Sequence, residues 1–322
     1  MKKLLSTVCT AALLTLPAGA ALAQTYPTKP VKIVVPFGPG GFTDVVARIL
    51  GVKLGETLGQ PVVIENKPGA GSMIGSDQVA KSAPDGHTLL IVSSTHVISP
   101  WIYKTVPYDP IKSFAPVTKL VDSPYVLLTN PKVPAKNVQE FIALAKSQPN
   151  NIHYASSGNG SAQHLIGGLF ASMTQTQLKH VPYRSSSLAA TDLVAGVVES
   201  SFAGVPNALA QVPNGRLNAL AVTSAKRIPQ LPNVPTMQEA GVPGYDATIW
   251  LALLAPAGTP AHIVNRLNSD VAKIMNTPET QKAMYDAGVE VSLSTPAAMS
   301  QLMVSELDKW GKVVKEAGIK IE

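Results

Sequence analysis

The chain has 322 residues, 45% hydrophobic and 14% charged, enough apolar material for a buried core and too little charge for a disordered polymer. Its 24 Gly and 27 Pro follow no period and it holds one Cys, which excludes collagen-like and disulfide-framework classes. A formal charge of +6 is too small a surplus to imply a nucleic-acid partner. At the start, Lys2 and Lys3 precede an apolar run from Leu4 to Leu16, and Ala18-Gly-Ala-Ala-Leu-Ala-Gln follows. A basic start, a short apolar run and an Ala-x-Ala end form a secretory signal, with cleavage expected after Ala23. Such a run is too short for a permanent anchor, and Cys9 leaves with it. The mature chain of 299 residues is then cysteine-free, with 24 basic against 20 acidic residues. That excludes thiolate nucleophiles and Cys–zinc sites.

Strand-like and helix-like segments alternate from there on. Val31 to Val35 reads as a buried strand, and the stripe Val45, Val46, Ile49, Leu50, Leu54, Leu58 as a helix ending at Gly59. Val62 to Ile64, Leu89 to Val92 and Val126 to Leu128 read as further strands. Phe141 to Ala145 predicts a helix, His153 to Ala155 a strand, Leu165 to Met173 a helix and Leu178 to Val181 a strand. Leu188 to Val194 is helical again and Ala219 to Val222 extended. The end is helical in three pieces, Ile263 to Ile274, Thr280 to Ala287 and Ala297 to Val314. This alternation argues for an α/β fold with parallel sheets covered on both faces. Two proline-edged extended stretches, Ser123 to Pro134 and Ile249 to Pro260, are where a two-lobed chain would cross between lobes; the alternative is two ordinary strands of one large sheet.

Three Gly-rich junctions are the places for chemistry. Phe37-Gly38-Pro39-Gly40-Gly41-Phe42-Thr43-Asp44 joins a buried strand to a helix. A helix start offers unpaired N–H groups and the positive end of a dipole, which suits a carboxylate or phosphate. The alternative is a plain turn with Thr43 or Asp44 as the helix cap. Ser157-Gly158-Asn159-Gly160-Ser161, with His164 three residues on, is a second junction of the same kind. The third, Asn66 to Gly75, contains Pro68 and reads as a structural bend. Catalytic and metal motifs are missing: six scattered His show no ligand spacing, and there is no Gly-x-Ser-x-Gly elbow. His153 and His180 fall in strand patterns and read as packed there, Trp250 reads as core or cleft wall, and His164 braces its loop or serves as a base. Ser157 and Ser161 are hydroxyl donors to a ligand or, less simply, nucleophiles.

Taken together the segments resemble the substrate-binding receptors of tripartite tricarboxylate transporters, the Bug-type family. The resemblance runs from about Tyr26 to the C-terminus. It is carried by Lys29-Pro-Val-Lys-Ile-Val-Val-Pro-Phe, Pro39-Gly-Gly-Phe-Thr-Asp-Val-Val-Ala-Arg, Glu65-Asn-Lys-Pro-Gly-Ala-Gly and Ala83-Pro-Asp-Gly-His-Thr-Leu-Leu. Tyr108-Asp-Pro, Tyr154-Ala-Ser-Ser-Gly-Asn-Gly-Ser, His180-Val-Pro-Tyr and Ala219-Leu-Ala-Val-Thr-Ser-Ala-Lys-Arg continue it. Pro232-Asn-Val-Pro-Thr, Glu239-Ala-Gly-Val-Pro-Gly-Tyr and Leu254-Ala-Pro-Ala-Gly-Thr-Pro complete the series.

The resemblance implies a two-lobed periplasmic-binding-protein fold of the type II kind, each lobe a mostly parallel sheet flanked by helices, with two chain crossings. Residues 24–123 and 249–322 would form one lobe and 124–248 the other. It implies a monomeric periplasmic receptor, without cofactor, metal or catalytic activity, that closes on a small organic acid and delivers it to membrane permease subunits. Carried over by motif, Phe37 to Asp44 form one jaw, and Ser157 to Ser161 with His164 the other. Ser94 and Thr95 match a ligand-facing turn. Tyr183, Arg184 and Ser185 lie at the mouth of the second lobe, and Phe202 and Ala203 near the distal end of the ligand. Departures from the family pattern touch ligand choice: Ser185-Ser-Ser follows Arg184 where Gly is usual, Val197, Val198 and Glu199 replace a Gln-and-Asp pattern, and Leu251-Ala252 follows Trp250. Two further readings remain beside uptake, an exported Ser hydrolase using Ser157 or Ser161 with His164, and a receptor that docks to a membrane sensor.

Overall fold

The computed structural model describes residues 26–316. The expected signal with its cleavage after Ala23, and the tail 317–322, lie outside the described residues. The chain begins with β1 (Val31–Val35), α1 (Phe42–Leu58), β2 (Val62–Asn66), α2 (Met73–Ala80), β3 (Thr88–Ser93), α3 (Thr95–Ile102) and β4 (Phe114–Ser123). It continues with β5 (Tyr125–Thr129), α4 (Val138–Ser147), β6 (His153–Ser156), α5 (Ala162–Thr174), β7 (Lys179–Pro182), α6 (Ser186–Ala195), β8 (Ser200–Gly204), α7 (Val205–Gln211) and β9 (Asn218–Val222). The last part is β10 (Ile249–Pro256), α8 (Ala261–Met275), α9 (Pro278–Asp286), β11 (Glu290–Val291) and α10 (Pro296–Glu316).

Two sheets result. One has the order β11-β4-β10-β3-β1-β2 and the other β7-β6-β8-β5-β9. Only Pro124 separates β4 in the first sheet from β5 in the second, and the chain returns between β9 and β10. Each sheet has helices on both faces. In the first, α1 and α8 bury Leu50, Leu54, Leu267 and Val271 against Ile33, Leu89 and Leu253. On its opposite face α2, α3 and α10 pack Met73, Ile98, Met303 and Trp310 against Leu90, Trp250 and Leu254. All eight residues of β10 are buried, as an apolar run covered on both sides must be. Each such Leu or Ile contributes about 1.5–3 kcal/mol of transfer energy, which offsets the ordering entropy.

The two-lobed α/β architecture stands as expected, with one refinement. The sheets are mixed rather than mostly parallel: β1 pairs parallel with β2 and β3, and β6 with β7 and β8, while β10, β4 and β11 pair antiparallel, as does β5 with β8 and β9. The reason lies in the crossings, since a strand that enters from the other sheet arrives without a helical crossover to reverse its direction. Several elements went unread in the sequence. Pro100 stands inside α3 and disguises it, and Pro116 and the polar Thr118 and Lys119 break the apolar run of β4.

Candidate functional site

The parallel strands β1 and β3 end on the same edge of the first sheet, and β6, β7 and β8 end together in the second. Turns beyond the carboxyl ends of parallel strands are where α/β folds bind ligands. Both Gly-rich jaws sit there.

In the first jaw, Gly38, Pro39 and Gly40 are exposed, while Phe37, Gly41 and Phe42 are half-buried, the two phenylalanines packing on the core beneath α1. Gly41 is the N-cap of α1 and supplies no side-chain cap, so the first amides of the helix keep their hydrogens for another acceptor. Thr43 and Asp44 are buried. The Asp44 carboxylate does not remain open to a ligand, because its oxygens are taken within the turn. Gly40 N and Arg48 Nε both donate to Oδ2 at 2.9 Å, and Asn66 Nδ2 donates to Oδ1 at 2.9 Å. Asn66 Nδ2 also reaches the carbonyl of Phe37 at 3.1 Å, so β2 ties down both ends of the turn. Burial pushes the Asp44 carboxyl up, but the bonds from Arg48, Gly40 and Asn66 outweigh it and hold it below the usual carboxylate range. The jaw is therefore an uncapped helix start stiffened by a buried anion. The Asp44 carboxylate supports the turn from within the fold.

The second jaw satisfies its own backbone. Gln163 Oε1 accepts from Ser157 N at 2.8 Å, Ser156 Oγ from Gly158 N at 3.0 Å, and Gly158 O from Ser161 N at 3.2 Å. Ser161 caps α5 by accepting from His164 N, and His164 Nδ1 accepts from Gly160 N at 3.1 Å. That last bond assigns the tautomer: Nδ1 is the acceptor, so the neutral ring carries its proton on Nε2 and presents a donor. Burial lowers the His164 pKa to about 4, which keeps the ring neutral at pH 7. His180, from β7, stacks on it with centroids 3.8 Å apart and planes 7° apart. Its Nε2 lies 2.5 Å from Ser156 Oγ, and burial, followed by the neighbouring His164, lowers its pKa to about 3. Asn159 is exposed, and its carbonyl accepts from Tyr103 Oη at 3.5 Å.

The remaining expected residues divide. Ser94 is fully buried, donates its N–H to the Trp250 carbonyl at 3.1 Å, and has a hydroxyl without a protein partner; Thr95 Oγ1 pairs with Ser93 Oγ at 2.6 Å. Tyr183 N is bonded to Ser156 O and its hydroxyl donates to Asp192 at 2.8 Å; burial, then Asp192, pushes the phenol up to about 12. Arg184 is exposed, and Ser185 caps α6 by accepting from Leu188 N. Phe202 and Ala203 lie in the core. Both are buried in β8, Phe202 against Phe170 and Tyr154, Ala203 in the core on the other face. In a strand covered on both sides, successive side chains go to the two cores. Trp250 is likewise core, packed with Leu165 of α5.

The sequence reading missed Arg48, Asn66, Gln163 and the Ser156–His180 pair. Only the Asp44–Arg48 spacing of four on a helix carried a readable signal. Two grooves of about 280 and 210 Å³ on the second lobe, lined by Gln139, Lys146 and Gln175 and by Asn130, Lys132 and Glu199, include no residue of either jaw. Among the described residues, no group of three or more His, Cys, Asp or Glu could hold a metal ion, and no helix is long and apolar enough to cross a membrane.

Comparison with known proteins identifies the family. The family described as tripartite tricarboxylate transporter family receptor (TctC) matches residues 46–319. A UPF0065 protein from Pseudomonas sp. strain P51 is 38% identical over 311 residues, covering 93% of each chain. BugT of Bordetella pertussis is 37% identical over 302 residues, again 93% of each. Among solved structures, the periplasmic binding protein BugD superposes with a TM-score of 0.84 at 35% identity, over 92% of this chain and 100% of the other. Rpa4515 of R. palustris with adipate gives 0.86 at 36% over the same shares. MatC of Rhodopseudomonas palustris with bound malate gives 0.83 at 34%, over 90% and 100%. The chain belongs to the receptor family of the tripartite tricarboxylate transporters.

Proposed function

We propose that this protein is an exported, periplasmic, monomeric solute-binding receptor that clasps a small organic acid and hands it to the membrane subunits of a tripartite tricarboxylate-type transporter. The two sheets serve as the lobes, 24–123 with 249–322 against 124–248. One observation carries the reading. Each lobe ends in a strand–turn–helix junction whose open groups are donors: the uncapped amides of α1 in one, and His164 Nε2–H with the hydroxyls of Ser157 and Ser161 in the other. Donors without competing acceptors suit a carboxylate, and charge-assisted bonds of this kind contribute about 1.5–3 kcal/mol each. The adipate and malate held by two relatives fit the same chemistry.

The reading is non-catalytic. A serine nucleophile needs an imidazole nitrogen free to take its proton, and His164 Nδ1 already accepts from Gly160 while Nε2 carries the hydrogen. Ser156, beside His180, is buried and shares its hydroxyl with Gly158.

The test uses mature protein, unfolded and refolded to strip carried-over ligand, in a thermal-shift screen against organic acids that includes adipate and malate. An acid at 100 times its dissociation constant stabilises by about 2.7 kcal/mol, a shift of several degrees. A panel without any shift rejects the proposal.

A further inference from the structure

Past Asn66, the third Gly-rich junction has no role in either jaw, and its backbone is unusual. Gly69, Ala70, Gly71 and Ser72 all have positive φ, at 133°, 46°, 59° and 81°. Two non-glycine residues in that region are strained, and such strain persists only where the surroundings hold it. What lies against this turn is Tyr103, at the end of α3. A Cβ on Gly71 would stand 2.7 Å from both Cε2 and Cζ of the Tyr103 ring, so only glycine admits the ring there. The same side chain touches the other lobe. A Cβ on Gly160 would lie 3.1 Å from the Tyr103 hydroxyl and 3.6 Å from Ile102, and that hydroxyl donates to the Asn159 carbonyl at 3.5 Å.

We propose that Tyr103 is a positioning residue for the second jaw, seated in the strained turn 69–72 of the first lobe and bearing on the turn 158–160 of the second. This rests on the jaw assignment made above. The contact joins turns of the two lobes, so it lasts only while those turns meet. Tyr103 therefore holds the Gly160–His164 bond in register when the lobes meet, and releases it when they part. At 3.5 Å the hydroxyl bond is weak, so the ring does most of the bracing.

Hydrogen exchange of amides 157–164 tests this without a ligand of known identity. The mature protein is followed both as purified and after refolding from denaturant. Tyr103→Ala is expected to speed exchange across 157–164 at least tenfold in whichever preparation protects that segment more, with β1 and β10 unchanged. Tyr103→Phe keeps protection within threefold. Gly71→Ala reproduces the Tyr103→Ala effect by pushing the ring from its seat. Gly244→Ala is the control, with a similar φ of 76° and nothing within 4 Å of the added methyl. Unchanged exchange in both Tyr103→Ala preparations, an equal rise in Gly244→Ala, or a rise spread evenly over both lobes overturns the proposal. Normal acid binding with unaltered exchange would reject the brace alone. Failure of every acid to bind would reject the receptor reading and leave the exchange result to stand or fall by itself.

Discussion

The two jaws have the same plan, strand, glycine turn and helix start, but they are held by different means. In the first, the polar groups that fix the turn come from below: one buried carboxylate gathers Gly40, Arg48 and Asn66, and the helix start stays uncapped. In the second, the turn is fixed from within by Ser156, Ser161, Gln163 and His164, and its helix is capped. The first therefore offers backbone N–H groups and a helix dipole, and the second side-chain donors whose state depends on a neutral imidazole. One jaw depends on a charge staying on, the other on a charge staying off.

Asp44→Ala breaks the first jaw and has the largest expected effect. It leaves Gly40 N without its acceptor and Asn66 Nδ2 with only the Phe37 carbonyl, in a part-buried turn where each lost partner costs about 1–3 kcal/mol. Organic-acid affinity should fall at least tenfold by calorimetry, together with the melting temperature. Unchanged affinity would show that the first jaw does not grip the ligand.

Acid attacks the second jaw. His164 and His180 titrate at about 4 and about 3 in the fold, against about 6.5 when unfolded. Between those values the unfolded chain binds more protons, so stability is complete above about pH 6.5 and falls as pH drops toward 4. Buried His96, also at about 4, adds to the same window. The melting temperature should decline steadily from pH 7 to pH 4.5, and the double variant His164→Asn, His180→Asn should flatten that slope in part. An unaltered slope would assign the decline to His96 and to carboxyls held below their usual range, Asp44 among them.

Ser161→Ala removes the cap of α5 and should destabilise by about 1 kcal/mol in urea titrations, with a local loss of protection in the second jaw. The smallest effect on stability is expected from Gly41→Ser, which makes the first jaw resemble the second. Its φ of −76° admits a side chain, and an added Cβ would meet only the Gly38 carbonyl, at 3.4 Å. The new cap changes stability by only a few tenths of a kcal/mol. By occupying an amide that the proposed ligand would take, it should still weaken acid binding several-fold. Tighter binding would contradict the open-helix account.

Both glycine turns could be located in the sequence because a glycine turn between an apolar strand run and an apolar helical stripe is a local pattern. The roles inside them were not local. Asp44 looked like a ligand group beside the glycines, yet Asn66, 22 residues away on β2, takes its second oxygen. His180 looked like a strand residue and is one, but the parallel register that sets it opposite Tyr154 also lays its ring on His164. Phe202 and Ala203, expected near the distal end of the ligand, sit in a strand whose two faces are both covered.

Much of the alternation of strands and helices, the export signal as an expectation, the glycine turns and the family resemblance follow from residue patterns within short windows, since hydrophobic period and turn chemistry act over a few residues. Pairing direction was decided in three dimensions, because a strand arriving through a crossing takes whichever edge and direction the other lobe leaves it. The division of each jaw into groups that hold the turn and groups that face outward was settled there too. Hydrogen bonds saturate, and which donors remain open depends on partners that the fold brings from other strands.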